Sequence, residues 1–270
     1  MRRRQAAQER RSEISEIVSA KGFIRIDELA EHFGVTPMTI HRDLDELDAR
    51  GVVSKVRSGA KATPIEEVER NVGLRRHHML PQKRAMADAA LAWLEELDAD
   101  HLTRVVALDD STSALALVDG LAARDELTIV SNFLPVIEQV AATGHATMFG
   151  LGGTFSPGFQ SFQGSSTHEA IRSIQIDVFF LSATAVGQGA VFHPEEGPLQ
   201  VKRSLIDQAA RSVLLVDHTK FSRRALHRQA GLSEMDAVVV DDGIDPADLR
   251  RLREHVETVI VAEVTEEQES

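Results

Sequence analysis

The segment between residues 29 and 60 constrains the fold more than any other part of this 270-residue chain. The apolar stripe of one short predicted helix ends at Gly34, where a tight turn needs an unhindered backbone. A second helix is predicted to follow Thr36, whose hydroxyl can accept a hydrogen bond from the first helical turn, with Pro37 at the first helical position. Two short helices joined in this way are typical of a helix-turn-helix.

The second helix also predicts which side chains face outward. Ile40, Leu44 and Leu47 recur at helical spacing and are expected to face the core. The other side chains near the helix start would then lie where a helix-turn-helix meets the major groove of DNA. A strand over residues 52–57 with a Ser58-Gly59 turn predicts a basic hairpin, where phosphates would be met. The candidate DNA-binding residues are Thr36, Met38, Thr39, His41, Arg42, Lys55 and Arg57.

Two features before this pair of helices complete a winged helix. A helix is predicted over residues 12–21 with Gly22 as its C-cap, and Asp27 is expected to cap the next helix at Glu28. The positive side chains at the start are either an arm that touches phosphates or a solvated tail. They are Arg2, Arg3, Arg4, Arg10 and Arg11. The alternative to DNA binding is an ordinary helical hairpin without a ligand, since short patterns of this kind occur by chance.

The second helix carries a motif that resembles a known signature. Residues 39–44 read Thr-Ile-His-Arg-Asp-Leu and resemble the DeoR family of bacterial transcription regulators, which carry a Thr-Ile-Arg-Arg-Asp-Leu type of sequence here. His41 replaces the first Arg of that pair and Arg42 retains the second. The wing reads Arg-Ser-Gly-Ala at residues 57–60, where the family usually has His-Gly-Gly-Ala. The resemblance implies a domain that binds double-stranded operator DNA.

Composition excludes several kinds of site. The chain has no cysteine, so disulfides, thiolate catalysis and zinc–thiolate sites are excluded. No apolar run approaches the ~20 residues that a membrane helix needs, and no apolar segment follows the basic start. A cytoplasmic protein without membrane contact is therefore expected. No metal site is expected, because His77-His78, His168-Glu169 and residues 193–196 lack the spacing of metal ligands.

Length and charge favour two domains. Residues 1–62 carry 12 Lys and Arg against 10 Asp and Glu, whereas the remainder carries 18 against 32, in a chain of net charge −12. The acidic remainder would stay away from DNA. Residues 63–80 are charged and poor in apolar side chains, which predicts a linker. Residues 81–270 are then left for a second domain that begins with a helix over residues 83–97.

The second domain alternates apolar runs with helical patterns. The predicted strands are residues 105–108, 127–130, 146–151, 176–181, 213–216, 237–240 and 259–261. The predicted helices between them are residues 113–123, 135–143, 201–211 and 246–256. Continuous apolar strands separated by helices predict a mostly parallel sheet flanked by helices. The fold class is therefore α/β, with an N-terminal winged helix-turn-helix and a larger α/β domain.

Small polar residues follow several of these strands. Parallel sheets bind ligands at the carboxyl ends of their strands, and free N–H groups at a helix start suit an anion such as phosphate. Capped turns without a ligand are the alternative. The candidate effector-binding residues are Asp109, Ser111, Thr112, Ser113, Asn132, Gly152, Gly153 and Lys220. Lys202 and Arg203 open a helix near the same edge, where either charge could reach a phosphate or only solvent.

These segments are similar to the sensor domain of the DeoR family, which is related in fold to ribose-5-phosphate isomerase. The family's Asp-x-Gly-Thr-Thr corresponds to residues 109–113, its Thr-Asn to residues 131–132, its Gly-Gly to residues 152–153, and its Asp-Ser-Ser-Lys-Phe to residues 217–221. The resemblance implies a ribose-5-phosphate-isomerase-like fold, a phosphorylated sugar or related metabolite as effector, and a homodimer or homotetramer. No cofactor is expected.

Two functions are compatible with this sequence. The first is a transcriptional regulator of carbohydrate metabolism genes, more commonly a repressor, that responds to a phosphorylated sugar. The second is a sugar-phosphate isomerase with an added DNA-binding domain, in which Asp109 would be the base and Lys220 the cation beside an enediolate. Because a sensor needs binding without turnover, the regulator is preferred and no catalytic residue is assigned.

Overall fold

The computed structural model of the chain describes residues 7, 10–11, 13–15, 17–18, 21–49, 53–62, 68–69, 71–97 and 103–265. Arg2, Arg3, Arg4, residues 51–52 and part of the predicted linker lie outside these ranges. The chain divides into two compact units, residues 1–78 and residues 79–270. Among the described helices, none is both long enough and apolar enough to cross a bilayer.

The first unit combines helices with a small antiparallel sheet. Its described residues before position 22 are helical. They are followed by β1 (Phe23–Arg25), α1 (Ile26–Phe33), α2 (Pro37–Ala49), β2 (Val53–Val56), β3 (Gly59–Ala62) and α3 (Val72–His77). The strands are ordered β1-β3-β2 with antiparallel neighbours. Ile14, Leu29, Ile40 and Leu44 are fully buried and form the centre of the core, as their spacing predicts.

The turn between α1 and α2 forms as predicted. Gly34 has a φ of 60°, in the left-handed region where a side chain would be strained. The hydroxyl of Thr36 accepts a hydrogen bond from the backbone N–H of Thr39 at 3.3 Å, and α2 begins at Pro37. The local chemistry of these three positions therefore ends α1 and starts α2.

Three local expectations in this unit differ from the structure. The helix α1 begins at Ile26 and has no side-chain cap, so Asp27 lies in the first turn, where its charge favours the helix dipole. Strand β1 was not predicted, because three residues are too few to show a period. Gly59 is the first residue of β3 and not part of the turn; a Cβ there would lie 2.0 Å from the carbonyl oxygen of Ile24. The glycine therefore allows β1 to pair with β3.

The described residues of the second unit form twelve strands. They are β4 (Val105–Leu108), β5 (Thr128–Ser131), β6 (Thr147–Gly150), β7 (Thr154–Ser156), β8 (Ser161–Gln163), β9 (Ile176–Leu181), β10 (Ala185–Gly187), β11 (Ala190–His193), β12 (Ala209–Leu215), β13 (His227–Gly231), β14 (Ala237–Asp241) and β15 (Thr258–Ala262). Seven of them form one sheet in the order β15-β14-β12-β9-β4-β5-β6, and every neighbouring pair is parallel. The predicted parallel sheet is confirmed, with all seven of its strands.

Two smaller sheets were not predicted. Strands β7 and β8 form an antiparallel hairpin, and β10, β11 and β13 form an antiparallel sheet in the order β10-β11-β13. Their strands have three to five residues and interrupt the regular alternation of strand and helix. Both consist of strands that follow strands of the large sheet in the chain.

The helices of the second unit surround this framework. They are α4 (Leu80–Leu97), α5 (Thr112–Leu115), α6 (Val118–Ala122), α7 (Leu134–Thr143), α8 (Ser165–Arg172), α9 (Glu196–Gln208) and α10 (Pro246–His255), with short 3₁₀ helices at His218–Ser222 and Leu232–Glu234. The predicted helix over residues 113–123 is two helices, and α8 was not predicted. Helix α9 begins five residues before Val201, because Pro198 is tolerated in a first turn whose N–H groups have no helical partner.

Candidate functional site

The outward face of α2 is available for contact. Met38 is 62% exposed and Arg42 is exposed, whereas Thr39 and His41 are half-buried. Within the described residues Arg42 makes no ion pair, so its guanidinium can meet a base edge or a phosphate without first losing a partner. Thr36 serves mainly as the helix cap, since its hydroxyl also lies 3.0 Å from that of Thr39.

The wing is fastened to α2 by one of its predicted phosphate contacts. The ammonium of Lys55 forms an ion pair with Asp45 and donates a hydrogen bond to the carbonyl of His41 at 3.3 Å. The backbone N–H of Lys55 donates to Asp48 at 2.7 Å. Lys55 therefore positions the hairpin, while Arg57 is exposed at its turn. Of these two basic residues, Lys55 supports the hairpin and Arg57 is exposed to solvent.

Asp43 joins the first helical segment to α2. The carboxylate is 2% exposed as a residue and receives the guanidinium Nε of Arg10 at 2.7 Å and that of Arg11 at 2.8 Å. Arg11 also pairs with Glu46 at 2.6 Å. The two alternatives given for Arg10 and Arg11, a phosphate arm or a solvated tail, are both wrong, because these arginines form ion pairs with a buried carboxylate of α2.

In the second unit, the turn after β4 contains a buried pair of carboxylates held by one lysine. Asp109 and Asp110 are 0% and 2% exposed, and Lys202 of α9 is 3% exposed. The Lys202 ammonium forms an ion pair with Asp109 and lies 2.8 Å from Asp110. Burial alone lowers the pKa of Lys202, but the charges of Asp109 and Asp110 outweigh it, so the pKa of Lys202 is raised. Lys202 therefore keeps its positive charge at this buried position.

Backbone and hydroxyl groups complete this cluster. Asp109 accepts hydrogen bonds from the N–H of Ser111 at 3.0 Å and the N–H of Ser182 at 2.8 Å. Asp110 accepts one from the hydroxyl of Ser161 at 3.1 Å. Four separate segments of the chain, those of β4, β8, β9 and α9, are thus tied together at one edge of the sheet.

The predicted phosphate loop lies directly on this cluster. Ser111, Thr112 and Ser113 are buried, and the Ser111 hydroxyl accepts a hydrogen bond from the N–H of Ala114 at 3.0 Å as the N-cap of α5. The Ser111 oxygen accepts this bond from the helix, and its hydroxyl proton can still be donated to a ligand. The loop is fixed in place before any ligand arrives.

Asn132 presents an unsatisfied acceptor at the end of the neighbouring strand. Its side chain is 1% exposed and donates from Nδ2 to the carbonyl of Phe162 at 2.9 Å. Its Oδ1 is buried and has no hydrogen-bond partner within the described structure. A buried acceptor left without a partner is unfavourable, so a group that keeps one is a candidate for ligand contact.

Of the predicted glycine pair, Gly153 has a packing explanation of its own. Gly153 has a φ of 142°, and a Cβ there would lie 2.2 Å from the hydroxyl of Thr167 and 2.6 Å from the carbonyl of Gln163. The carbonyl of Gly152 accepts a hydrogen bond from Thr167 at 2.6 Å. These contacts with β8 and α8 account for the glycine at position 153 without a ligand, and a Cβ at position 152 would meet open space.

Lys220 belongs to a second charged group. It is 8% exposed in the 3₁₀ helix after β12, beside Asp217. Burial of Asp217 raises its pKa, but Lys220, the Thr219 hydroxyl, Arg223 and Lys83 outweigh that effect and lower the pKa of Asp217 to about 2. Strand β9 lies between β12 and β4, so Lys220 and Asp109 stand two strand positions apart. Neighbouring strands are ~4.8 Å apart, so the axes of β12 and β4 are roughly 10 Å from each other.

The residue that sequence reasoning missed is Lys202. The sequence pattern indicates Lys202 only as a charge near the edge, and it predicts that Lys220 faces Asp109. The helical spacing of Val201, Lys202 and Leu205 contained the signal, since all three are buried on one face of α9. A lysine on a buried stripe needs a buried acid. Among the residues that the structure describes, no cluster of three histidine or acidic side chains is arranged for a metal ion.

Two family models match the chain. Residues 79–242 match the DeoR C terminal sensor domain, and residues 10–66 match the DeoR-like helix-turn-helix domain. The first match alone covers more than half of the chain, and the two fall on the two compact units.

Several characterised and uncharacterised regulators are similar over nearly their whole length. The transcriptional repressor AccR of Agrobacterium fabrum is 27% identical over 88% of this chain and 91% of its own. The uncharacterised HTH-type transcriptional regulator YgbI of Escherichia coli is 28% identical over 94% and 97%. The lactose phosphotransferase system repressor of Staphylococcus aureus is 27% identical over 86% and 91%.

Solved structures overlap only in part. A D-ribose-5-phosphate isomerase in complex with phospho-erythronic acid shares 14% identity with this chain, with a TM-score of 0.37 over 52% of each chain.

Proposed function

Because the chain belongs to the DeoR family of transcription regulators, we propose that it represses carbohydrate metabolism genes and leaves its operator when a phosphorylated sugar binds. Similarity to a transcriptional repressor and to a lactose phosphotransferase system repressor supports repression and a sugar-related signal. The observation that carries the effector half of the proposal is the buried polar edge of the sheet, where Asn132 Oδ1 has no partner within the described structure. Such an acceptor is suited to a ligand hydroxyl.

We propose that α2 reads the operator with its exposed face. Arg42 contacts a base edge or a phosphate, Met38 and Thr39 contact bases or the sugar-phosphate backbone, and Arg57 meets a phosphate from the wing. Lys55 has a supporting part, because its charge is already engaged by Asp45. Such domains recognise paired half-sites, which favours a homodimer or homotetramer. We propose that this oligomer acts in the cytoplasm.

We propose that the effector phosphate lies over Ser111, Thr112 and Ser113, and that Asn132 contacts the effector on the β5 side of this loop. A phosphate there accepts hydrogen bonds from hydroxyls and from N–H groups of the loop. Lys220 stands two strand positions away, so it would contact the opposite end of a ligand that spans the edge. Gly152 is exposed beside the same edge, whereas Gly153 is required by packing.

The isomerase alternative is less well supported. Both oxygens of Asp109 already accept hydrogen bonds, and one of them is paired with Lys202, so this carboxylate is poorly placed to remove a proton from carbon. Lys220 is not paired with it. The relatives named above are transcriptional regulators. An isomerase assay with ribose 5-phosphate distinguishes the two, since turnover would favour the enzyme.

The DNA half of the proposal is tested by selecting duplexes from a random pool with the full chain and measuring affinity by fluorescence anisotropy. Arg42→Ala should weaken binding by ~1–3 kcal/mol if it reads a base, or reduce the salt slope by about one if it meets a phosphate. Thr39→Ala should weaken DNA binding by less than Arg42→Ala does. Wild-type affinity at every salt concentration would remove Arg42 from the interface.

The effector half is tested with a Thr112→Asp variant. A fixed carboxylate at this position would repel a phosphate, so operator binding should persist while sugar phosphates no longer release the DNA. Thr112→Val removes only the hydroxyl and should respond at moderately higher effector concentration. Thr143→Asp adds the same charge at the exposed end of α7 and serves as the control. A Thr112→Asp protein that responds like wild type would place the phosphate elsewhere.

A further inference from the structure

Strand β13 contains an irregularity beside the candidate effector site. It pairs with β11 so that Val191 is opposite Ala230 and Phe192 is opposite Arg228. One residue of β13, Gln229, is therefore the extra residue of a β-bulge. Bulges redirect a side chain that regular pairing would send to the other face, and they are common beside functional sites.

The redirected side chain reaches the carboxylate cluster through one intervening residue. Gln229 is 2% exposed, and its Nε2 donates to the carbonyl of Ser182 at 3.4 Å. The N–H of the same Ser182 donates to Asp109 at 2.8 Å. Gln229 thus lies at the end of the site opposite to Asn132, which borders the segment of Phe162 and Ser161.

The amide oxygen of Gln229 is unused. Oε1 is buried and has no hydrogen-bond partner within the described part of the chain. Exchanging the oxygen and nitrogen would bring two acceptors together at Ser182, so the orientation is set by that carbonyl. Burying an amide acceptor without a partner is unfavourable for folding, so the unused oxygen needs an explanation.

We propose that Gln229 is a specificity-determining residue whose Oε1 accepts a hydrogen bond from a hydroxyl of the sugar effector. The assignment rests on the proposed function and names the end of the ligand that this part of the site recognises. An amide carbonyl oxygen can accept a hydrogen bond but cannot donate one, and the same is true of an ionised phosphate oxygen. The phosphate of the effector therefore does not lie at Gln229 Oε1. The effector is therefore oriented with its phosphate at Ser111–Ser113 and a hydroxyl-bearing carbon at Gln229.

The orientation makes a prediction about ligand chemistry. A site built to bond a hydroxyl rejects an analogue that lacks it, because the buried acceptor is again left alone. The affinity for inorganic phosphate, which has no sugar portion, should not depend on Gln229. The contribution of Gln229 is therefore visible as a difference between sugar phosphates and inorganic phosphate.

The test uses the full chain and isothermal titration with stated probes: D-ribose 5-phosphate, D-glucose 6-phosphate, D-galactose 6-phosphate and inorganic phosphate. Gln229→Met keeps the length and removes the acceptor. The variant should lower the affinity for the sugar phosphate that wild type binds most tightly by at least tenfold. Its affinities for inorganic phosphate and for selected operator DNA should be unchanged. Its thermal midpoint should stay close to that of wild type, because the variant removes an unsatisfied acceptor but also loses the hydrogen bond from Nε2 to the carbonyl of Ser182. Gln200→Met, on the exposed side of α9, is the matched control and should behave as wild type.

Other outcomes overturn the assignment. Equal binding of the sugar phosphate by wild type and Gln229→Met removes Gln229 from the site and leaves the proposed function intact. A parallel loss of sugar phosphate and inorganic phosphate indicates a distorted site and also contradicts the assignment. If Gln229→Met does not fold, Gln229→Asn, which withdraws the carbonyl by one carbon, must show the same tenfold selective loss. A wild-type chain that binds none of the three sugar phosphates overturns the proposed effector class and this assignment together.

Discussion

The outward face of α2 and the carboxyl edge of the large sheet use charge in opposite ways. On α2, Arg42 is exposed and makes no ion pair within the described residues. At the sheet edge, Asp109, Asp110 and Lys202 are buried and bonded to one another. DNA is a large partner that brings its own charge to a protein surface, whereas a small effector has to be enclosed. The difference teaches that a surface charge serves recognition directly, while a buried charge has first to be satisfied by the fold.

The two regions also differ in what a mutation should change. Loss of an exposed charge on α2 should alter DNA affinity and its salt dependence, with little effect on stability. Loss of a buried charge at the sheet edge should alter stability first, because its partners would be left without compensation. Three predictions sharpen or break this contrast.

The largest expected effect is that of Lys202→Met. The variant leaves Asp109 and Asp110 buried without their cation, so the free energy of unfolding should fall by ~3–5 kcal/mol, as when a buried ion pair loses one partner. Urea denaturation of the full chain measures it. Arg203→Met is the adjacent control; its partners Asp207 and Glu234 are partly exposed, and the loss should stay below ~1 kcal/mol. Equal effects of the two variants would abolish the contrast between buried and exposed charge.

A smaller change in stability is expected when Asp217 is replaced, because the pKa of this carboxyl is lowered in the folded protein. Its folded pKa of about 2 lies below the usual value of 3.8, so its contribution to stability is present above pH ~4 and is lost as the pH falls towards 2. A shift of this size corresponds to about 2 kcal/mol. The free energy of unfolding of wild type should therefore drop more steeply than that of Asp217→Asn between pH 5 and 3, by roughly 1 kcal/mol at pH 3. Parallel pH profiles would show that the carboxylate is not stabilised by Lys220 and its neighbours.

Local chemistry explains how much of the fold the sequence could predict. Strand β4 was predicted with its observed ends, because Val105–Leu108 is a continuous apolar run in a buried parallel sheet. Gly34, Thr36 and Pro37 specified the turn and the start of α2 by their own backbone requirements. These residues act within a few positions of themselves, and a single sequence records such effects directly.

The parts that could not be predicted depend on distant partners. Lys202 meets Asp109 across 93 residues, and the sequence between them does not state which lysine arrives there. The bulge at Gln229 exists only in the register of β13 against β11, so no period in β13 alone reveals it. Arg10 and Arg11 read as a basic tail until Asp43 is known to be buried beside them.

The smallest expected effect concerns Lys55, compared with Arg42. Both are basic residues of the DNA-reading unit, but the Lys55 ammonium already pairs with Asp45 and bonds the carbonyl of His41. A cation that meets a phosphate contributes a salt slope of about 0.9, so Arg42→Ala should lower the slope by about one if it meets a phosphate, whereas Lys55→Ala should leave it nearly unchanged. The stability of the Lys55→Ala protein should fall by less than ~1 kcal/mol, since Asp45 is largely exposed. Anisotropy titrations from low to high salt compare both variants on the same duplex. A slope reduced equally in the two would mean that Lys55 exchanges Asp45 for a phosphate on binding, and that the wing charge is available to DNA after all.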